Sequence, residues 1–153
     1  MKMIFVVFLM MLMAACDKGA KTPEGVLTKY MTDITSKKVD REYFAKYTSG
    51  KLLETVEALS DEEFVKFVDM SKIRNPQISI SNKNCDGDKC SLTYIIKYDV
   101  VGGSTKQFES EVKKVATVEK DGEIWKISEV SNIKTYHESL VPINALDSAP
   151  AAE

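Results

Sequence analysis

Histidine is almost absent from this 153-residue chain, His137 being the only one. A Ser-His-Asp or Cys-His relay, a histidine-rich zinc site and a histidine general base all need an imidazole held among other polar groups. His137 stands beside the C-terminal tail, beyond the last segment read as a strand, where a solvated side chain is expected. A GxSxG nucleophile elbow and a phosphate-binding glycine loop are also missing. Charge of one sign is lacking too: 21 Lys and Arg oppose 23 Asp and Glu, without a basic run. Nothing therefore points to nucleic acid or to a polyanion-binding patch. The one long apolar run, Met3 to Ala15, carries no charge. It falls short of the roughly 20 residues that span a bilayer, so it reads as a signal peptide, residues 1–15.

What is present begins at the end of that run. Leu12-Met13-Ala14-Ala15-Cys16 resembles the lipobox of bacterial lipoproteins, with Met13 where that family usually carries Leu. The resemblance implies that the Cys16 thiol receives a diacylglycerol, that cleavage falls just before it, and that the new amino group takes a further, palmitate-type chain. Each buried acyl CH₂ contributes about 0.8 kcal/mol, so two or three chains make a lasting anchor. The expected address is the bacterial cell envelope, on the periplasmic or extracytoplasmic side. The membrane is then a partner through the acyl chains on Cys16. Asp17 resembles the inner-membrane retention signal of some enterobacterial lipoproteins, which leaves inner and outer membrane both open. Cleavage removes only Lys2 among the charged residues and moves the net charge from −2 to −3.

With Cys16 acylated, Cys85 and Cys90 remain as an even pair in an exported protein and should form a disulfide. A metal loop is the competing reading of Cys85-Asp86-Gly87-Asp88-Lys89-Cys90. Two thiols lack the second pair of a zinc set, and Asp86 with Asp88 offers too few oxygens for calcium. No metal and no cofactor are expected.

A short polar tether, residues 16–21, precedes a single domain over 22–141. Thr22 reads as an N-cap with Pro23 at the first helical position, and Val26, Leu27, Tyr30, Met31 and Ile34 follow at helical spacing. Asp40 caps a second segment bearing Tyr43, Phe44 and Tyr47; Ser49-Gly50 interrupts it before Leu52, Leu53, Val56 and Leu59. Ser60 and Glu63 form a capping box for Phe64, Phe67 and Val68, and Pro76 is expected to close the helical part. From Gln77 the period is two, and turn signals at Cys85 to Cys90, Gly102-Gly103 and Asp121-Gly122 divide it into four antiparallel strands. The tail from Pro142, residues 142–153, has no period and is expected to be disordered.

Two-residue turns at Asp121-Gly122 and Gly102-Gly103 would set Val118 opposite Trp125, Ala116 opposite Ile127, Phe108 opposite Lys97 and Val112 opposite Thr93. The disulfide loop would set Ile80 opposite Ile95. Phe108, Val112, Val118, Trp125, Ile127, Ile80 and Ile95 then share the face on which the helices pack, with Tyr30 as a further core or cavity residue. Tyr94, Ile96 and Tyr98 fall on the outer face beside Glu111, Glu109 and Gln107, a candidate interface for a protein partner or a second copy. A one-residue slip would instead turn that stripe inward as core. Lys114 does not suit the packed face opposite Glu129. Either the two form an ion pair at an open end, or a bulge near Lys113 brings Val115 and Val130 inward, which is the reading preferred here.

Helices followed by a curved four-stranded sheet, ending in the hairpin Asp121-Gly122-Glu123-Ile124-Trp125-Lys126-Ile127, resemble the nuclear-transport-factor-2-like superfamily. The resemblance covers roughly residues 22–135 and implies a cone-like α+β domain with a cavity between sheet and helices. The superfamily includes isomerases, cyclases, dehydratases and non-catalytic binding modules, so the fold does not name the activity. Its enzymes typically place His or Asp in the cavity, and the histidine is lacking here. The reading drawn is a non-enzymatic envelope module for a protein partner or a small apolar ligand. The alternatives are an acid–base isomerase or hydrolase using a cavity carboxylate, or a structural assembly factor. The anchor is tested by Cys16→Ala, which should abolish labelling with radioactive fatty acid and leave an uncut or soluble product; a variant that still labels and stays with membranes refutes the lipobox.

Overall fold

A computed structural model describes residues 18–36 and 39–139. The expected signal peptide, Cys16 and the tail 142–153 lie outside the described residues. A 3₁₀ turn over Lys18–Lys21 leads into four helices and four strands. Ala20 in that turn is buried, so packing begins inside the segment expected to be a tether. Helix α1 (Pro23–Ser36) starts where Thr22 Oγ1 accepts from Gly25 N–H at 3.0 Å, and it buries the expected stripe Val26, Leu27, Tyr30, Met31 and Ile34. Helix α2 (Arg41–Tyr47) is capped by the Asp40 carboxylate, which accepts from Tyr43 N–H at 2.8 Å. Helix α3 (Gly50–Ala58) follows, and α4 (Asp61–Phe67) opens on the Ser60/Glu63 capping box. The Arg41 guanidinium donates to the carbonyls of Val56 and Leu59 at the end of α3, both at 2.7 Å, the Val56 carbonyl also accepting from Leu59 N–H.

The strands β1 (Ile73–Asp86), β2 (Lys89–Gly102), β3 (Thr105–Asp121) and β4 (Ile124–Ser139) form one open, curved antiparallel sheet in chain order. This is the expected α+β class, with four helices where three segments were read. The longest helix has 14 residues, or roughly 21 Å. Strands of 14 to 17 residues reach roughly 46–56 Å, so the sheet outruns its helical cover. Pro76 does not stop the helical part; it lies within β1, between the paired Arg74 and Gln77, where the register shifts. An edge strand tolerates the missing N–H there.

Each hairpin turn puts glycine first of two central residues, one place earlier than the Gly102-Gly103 and Asp121-Gly122 reading. Gly102 pairs with Thr105 and Asp121 with Ile124, leaving Gly103 (φ 66°) and Gly122 (φ 63°) in the left-handed region a II′ turn reserves for them. Val118 consequently faces Ile127, and Trp125 faces Lys120.

Bulges then correct the faces. Gln107 is an extra residue on β3, so Val100 pairs with Phe108, Ile96 with Val112 and Tyr94 with Lys114. Ser81 is extra on β1, and Ile80 pairs with Tyr94 rather than Ile95. The Gln107 insertion puts Tyr94, Ile96 and Tyr98 on the face of Val112, toward the helices, and the Ser81 insertion brings Ile78 and Ile80 to that same face. Tyr94 is 1% exposed and Ile96 6%, while Tyr98 is half-buried against the same core, so this stripe is no interface. Ile95 points outward opposite Lys113. Val112 and Ile127 are buried as expected, and Trp125 packs on the core half-buried. Phe108 is half-buried beyond the helices, its ring near-perpendicular to His137 at 5.2 Å. His137 is exposed, as expected, although it stands within β4 opposite Ser110.

The preferred bulge at Lys113 is also corrected. The extra residues sit on β4, at Ser128 and Ile133, so β3 keeps its alternation and Lys114 stays on the inner face while Val115 stays outside. Val130 does come inward, opposite Ala116. At the Ser128 bulge, Ser49 N–H donates to the Ile127 carbonyl at 2.9 Å and Thr48 bridges Ile127, joining the α2–α3 link to the outer edge of β4. Among the described residues no helix is long and apolar enough to cross a membrane.

Cys85 and Cys90 are bonded across the β1–β2 hairpin, with Cα atoms 4.0 Å apart. Closing so short a loop should contribute only about 2 kcal/mol by chain entropy. Replacing both by serine should lower the denaturant midpoint by that amount with a cooperative transition retained. Two free thiols in the protein purified without reductant, by mass spectrometry, would contradict the bond.

Candidate functional site

The short helices do not fill the inner face of the sheet. A cavity of about 420 Å³ remains between them, within the ~300–1,000 Å³ range of small-molecule sites. Helix α1 supplies Tyr30, Met31 and Ile34; α2 supplies Phe44; α3 supplies Lys51, Leu52 and Thr55. Phe67, Val68 and Met70 close another side, and the sheet contributes Tyr94, Lys114, Glu129, Val130 and Ser131. Exposed Lys51, Thr55 and Phe67 stand at the mouth. A second recess of about 280 Å³ continues along the sheet and shares Met31, Met70 and Lys114 with the first. Its remaining wall mixes Ile73, Ile96 and Val112 with Thr35, Tyr98, Asn132 and Thr135. Lys114 stands at the junction.

The charges differ in how they are met. Lys51 Nζ and Glu129 Oε1 are 2.8 Å apart at the mouth, and this contact holds the Glu129 carboxyl below its ordinary range. Such a carboxylate is a poor general base near neutrality. Lys114 has no ion pair or hydrogen bond among the described residues, and burial pushes its ammonium group down from the ordinary lysine value. Burial likewise pushes the Tyr30 and Tyr94 phenols up, so both stay neutral donors; their closeness adds to the rise at Tyr30. No group of three His, Cys, Asp or Glu side chains suited to a metal occurs among the described residues.

Tyr43 and Tyr47 of α2 line a separate, shallower recess on the other side of α1. Asp33 is buried there with Lys29 Nζ at 2.9 Å, and burial, then the Asp33 carboxylate, pushes the Tyr43 phenol up. The structure thus brings Tyr30 to the cavity, leaves Phe108 and Trp125 away from it, and adds Lys114 and Tyr94. Lys114 was visible in the sequence only as an obstacle to the register. An alternation of Val112, Lys114, Ala116 and Val118 was the available signal that a lysine occupies an inward position.

Among solved structures, the chain is similar to the solution structure of a SEC-C motif containing protein from Rhodopseudomonas palustris, at 14% identity and a TM-score of 0.54. The match covers 76% of this chain and 82% of that one, and at such identity it concerns the fold alone. No protein-family model matches the chain, and no curated protein matches its sequence.

An ammonium group held without a partner in apolar surroundings costs stability. Lys114→Met should raise the unfolding free energy at pH 7 by about 1 kcal/mol, the usual yield of relieving a strained functional position. The sign with pH follows from the depressed folded-state value. Between it and the unfolded value of roughly 10.4, the unfolded chain binds more protons, so wild-type stability rises with pH in that window. The advantage of the variant should therefore shrink between urea titrations at pH 7 and in the alkaline range; an advantage that grows with pH contradicts the assignment.

Proposed function

We propose that this chain is an envelope lipoprotein, held to its membrane through acylated Cys16, whose domain of nuclear-transport-factor-2-like shape holds one small, largely apolar molecule between helices and sheet. The observation that carries this reading is the cavity of about 420 Å³, with Met31, Ile34, Phe44, Leu52, Val68 and Val130 around it. A cavity of this size lined by apolar groups and left open at one side gains free energy when an apolar body replaces its water. The binding of a protein partner loses its support, because the Tyr94, Ile96 and Tyr98 stripe that suggested it is covered by the chain's own helices. The acid–base alternative is weakened by Glu129, the carboxylate on the cavity wall, which is already neutralised by Lys51.

The test is direct. Protein purified from its own cells without refolding should release a small molecule on organic extraction, near one per chain by mass spectrometry. Leu52→Trp, which fills the cavity, should lower that yield severalfold with the fold retained by circular dichroism. Equal yields from the two proteins would place the molecule elsewhere and end this reading.

A further inference from the structure

Among the described residues, three polar groups on the inner wall have no side chain or backbone group to bond. Lys114 on β3 is the direct cross-strand partner of Tyr94 on β2, and Tyr30 of α1 lines the same cavity above them. Among the described residues neither phenol nor the ammonium has a hydrogen-bond partner. All three can donate, and their polar atoms reach the open cavity space where an acceptor on a ligand can meet them. Because Lys51 and Glu129 neutralise each other at the mouth, Lys114 leaves the cavity wall with one uncompensated positive charge. A wholly apolar occupant would leave that charge unmet, and a cationic one would be repelled.

Resting on the reading that the cavity takes a ligand, we infer that this ligand is an anionic amphiphile, an apolar chain ending in a carboxylate whose head binds Lys114 between the hydroxyls of Tyr30 and Tyr94. The position of Lys114 supports the orientation. Lys114 stands where the larger chamber meets the second recess, so the chain lies in the larger chamber while the head meets the ammonium at the junction. One ammonium and two neutral hydroxyls match a head of single charge. A carboxylate offers two acceptor oxygens in one plane and carries that charge at neutral pH. Charge-assisted bonds of this kind are about twice as strong as neutral ones, enough to choose among heads on the same chain.

The full chain in phosphatidylcholine vesicles is labelled with diazirine-bearing analogues of decanoate and of decan-1-ol, and the attachment sites are mapped by mass spectrometry. The decanoate probe should attach to cavity residues such as Met31, Leu52 and Met70. Unlabelled decanoate should compete about tenfold better than decan-1-ol or decyltrimethylammonium. Lys114→Met should abolish that preference without abolishing labelling, and Lys114→Arg should keep it. Equal competition by acid and alcohol, or a preference untouched by Lys114→Met in a folded variant, overturns the anionic head while the cavity remains a binding site. Attachment of neither probe in the cavity overturns both readings.

Discussion

A side chain on a β-strand has two faces to choose from, and one extra residue reverses the choice for everything beyond it. The strands here are long enough that curvature demands such residues, and the inner wall of the molecule depends on where they fall. Gln107 on β3 sets the even-numbered residues of β2 on the inner face with Val112, and Ser81 on β1 aligns Ile78 and Ile80 with them. Leu92, Tyr94 and Ile96 are thereby buried under the helices. The Gln107 side chain lies across Gly102, at a position where a Cβ would collide with its amide. A larger residue at 102 would have to move the exposed end of that side chain aside.

On β3 the alternation runs unbroken from Phe108 to Val118, because the compensating insertions sit on β4. Lys114 therefore keeps the inner face although hydrophobicity alone would exclude it. The molecule accepts a desolvated ammonium group in the middle of a sheet whose neighbours on the same strand, Val112 and Ala116, are buried. Such a departure from apolar patterning marks a position retained for something other than stability. The tyrosines around it have the same character, packed by their rings and open at their hydroxyls.

Local signals in the sequence were read correctly where physics acts over a few residues. The Thr22, Asp40 and Ser60 caps, the stripe of α1, the antiparallel hairpins and the Cys85–Cys90 pair all rest on neighbours in the chain. The faces of the sheet do not. A turn displaced by one residue still left Val118 and Ile127 inward, but the bulges at Gln107 and Ser81 carry no composition signal of their own, and the first reversed Tyr94, Ile96 and Tyr98. The candidate site suffered most, since a cavity is made by elements that come from both halves of the chain. Tyr30 was assigned to core or cavity on helical period alone, whereas Lys114 needed the true register to be seen as a wall residue. Pro76 shows the same limit: a proline ends a helix or sits on a sheet edge, and only the sheet order decides which.

The junction between α2 and α3 has a further effect at the rim of the sheet. A bare terminal strand invites another chain to add to it through its unused amides and carbonyls. Here Thr48 and Ser49 already occupy part of that role on β4, taking the Ile127 carbonyl that an incoming strand would seek. On the opposite side, Pro76 and the irregular stretches of β1 interrupt any second ladder. Both borders of the sheet are thereby guarded against strand-by-strand aggregation.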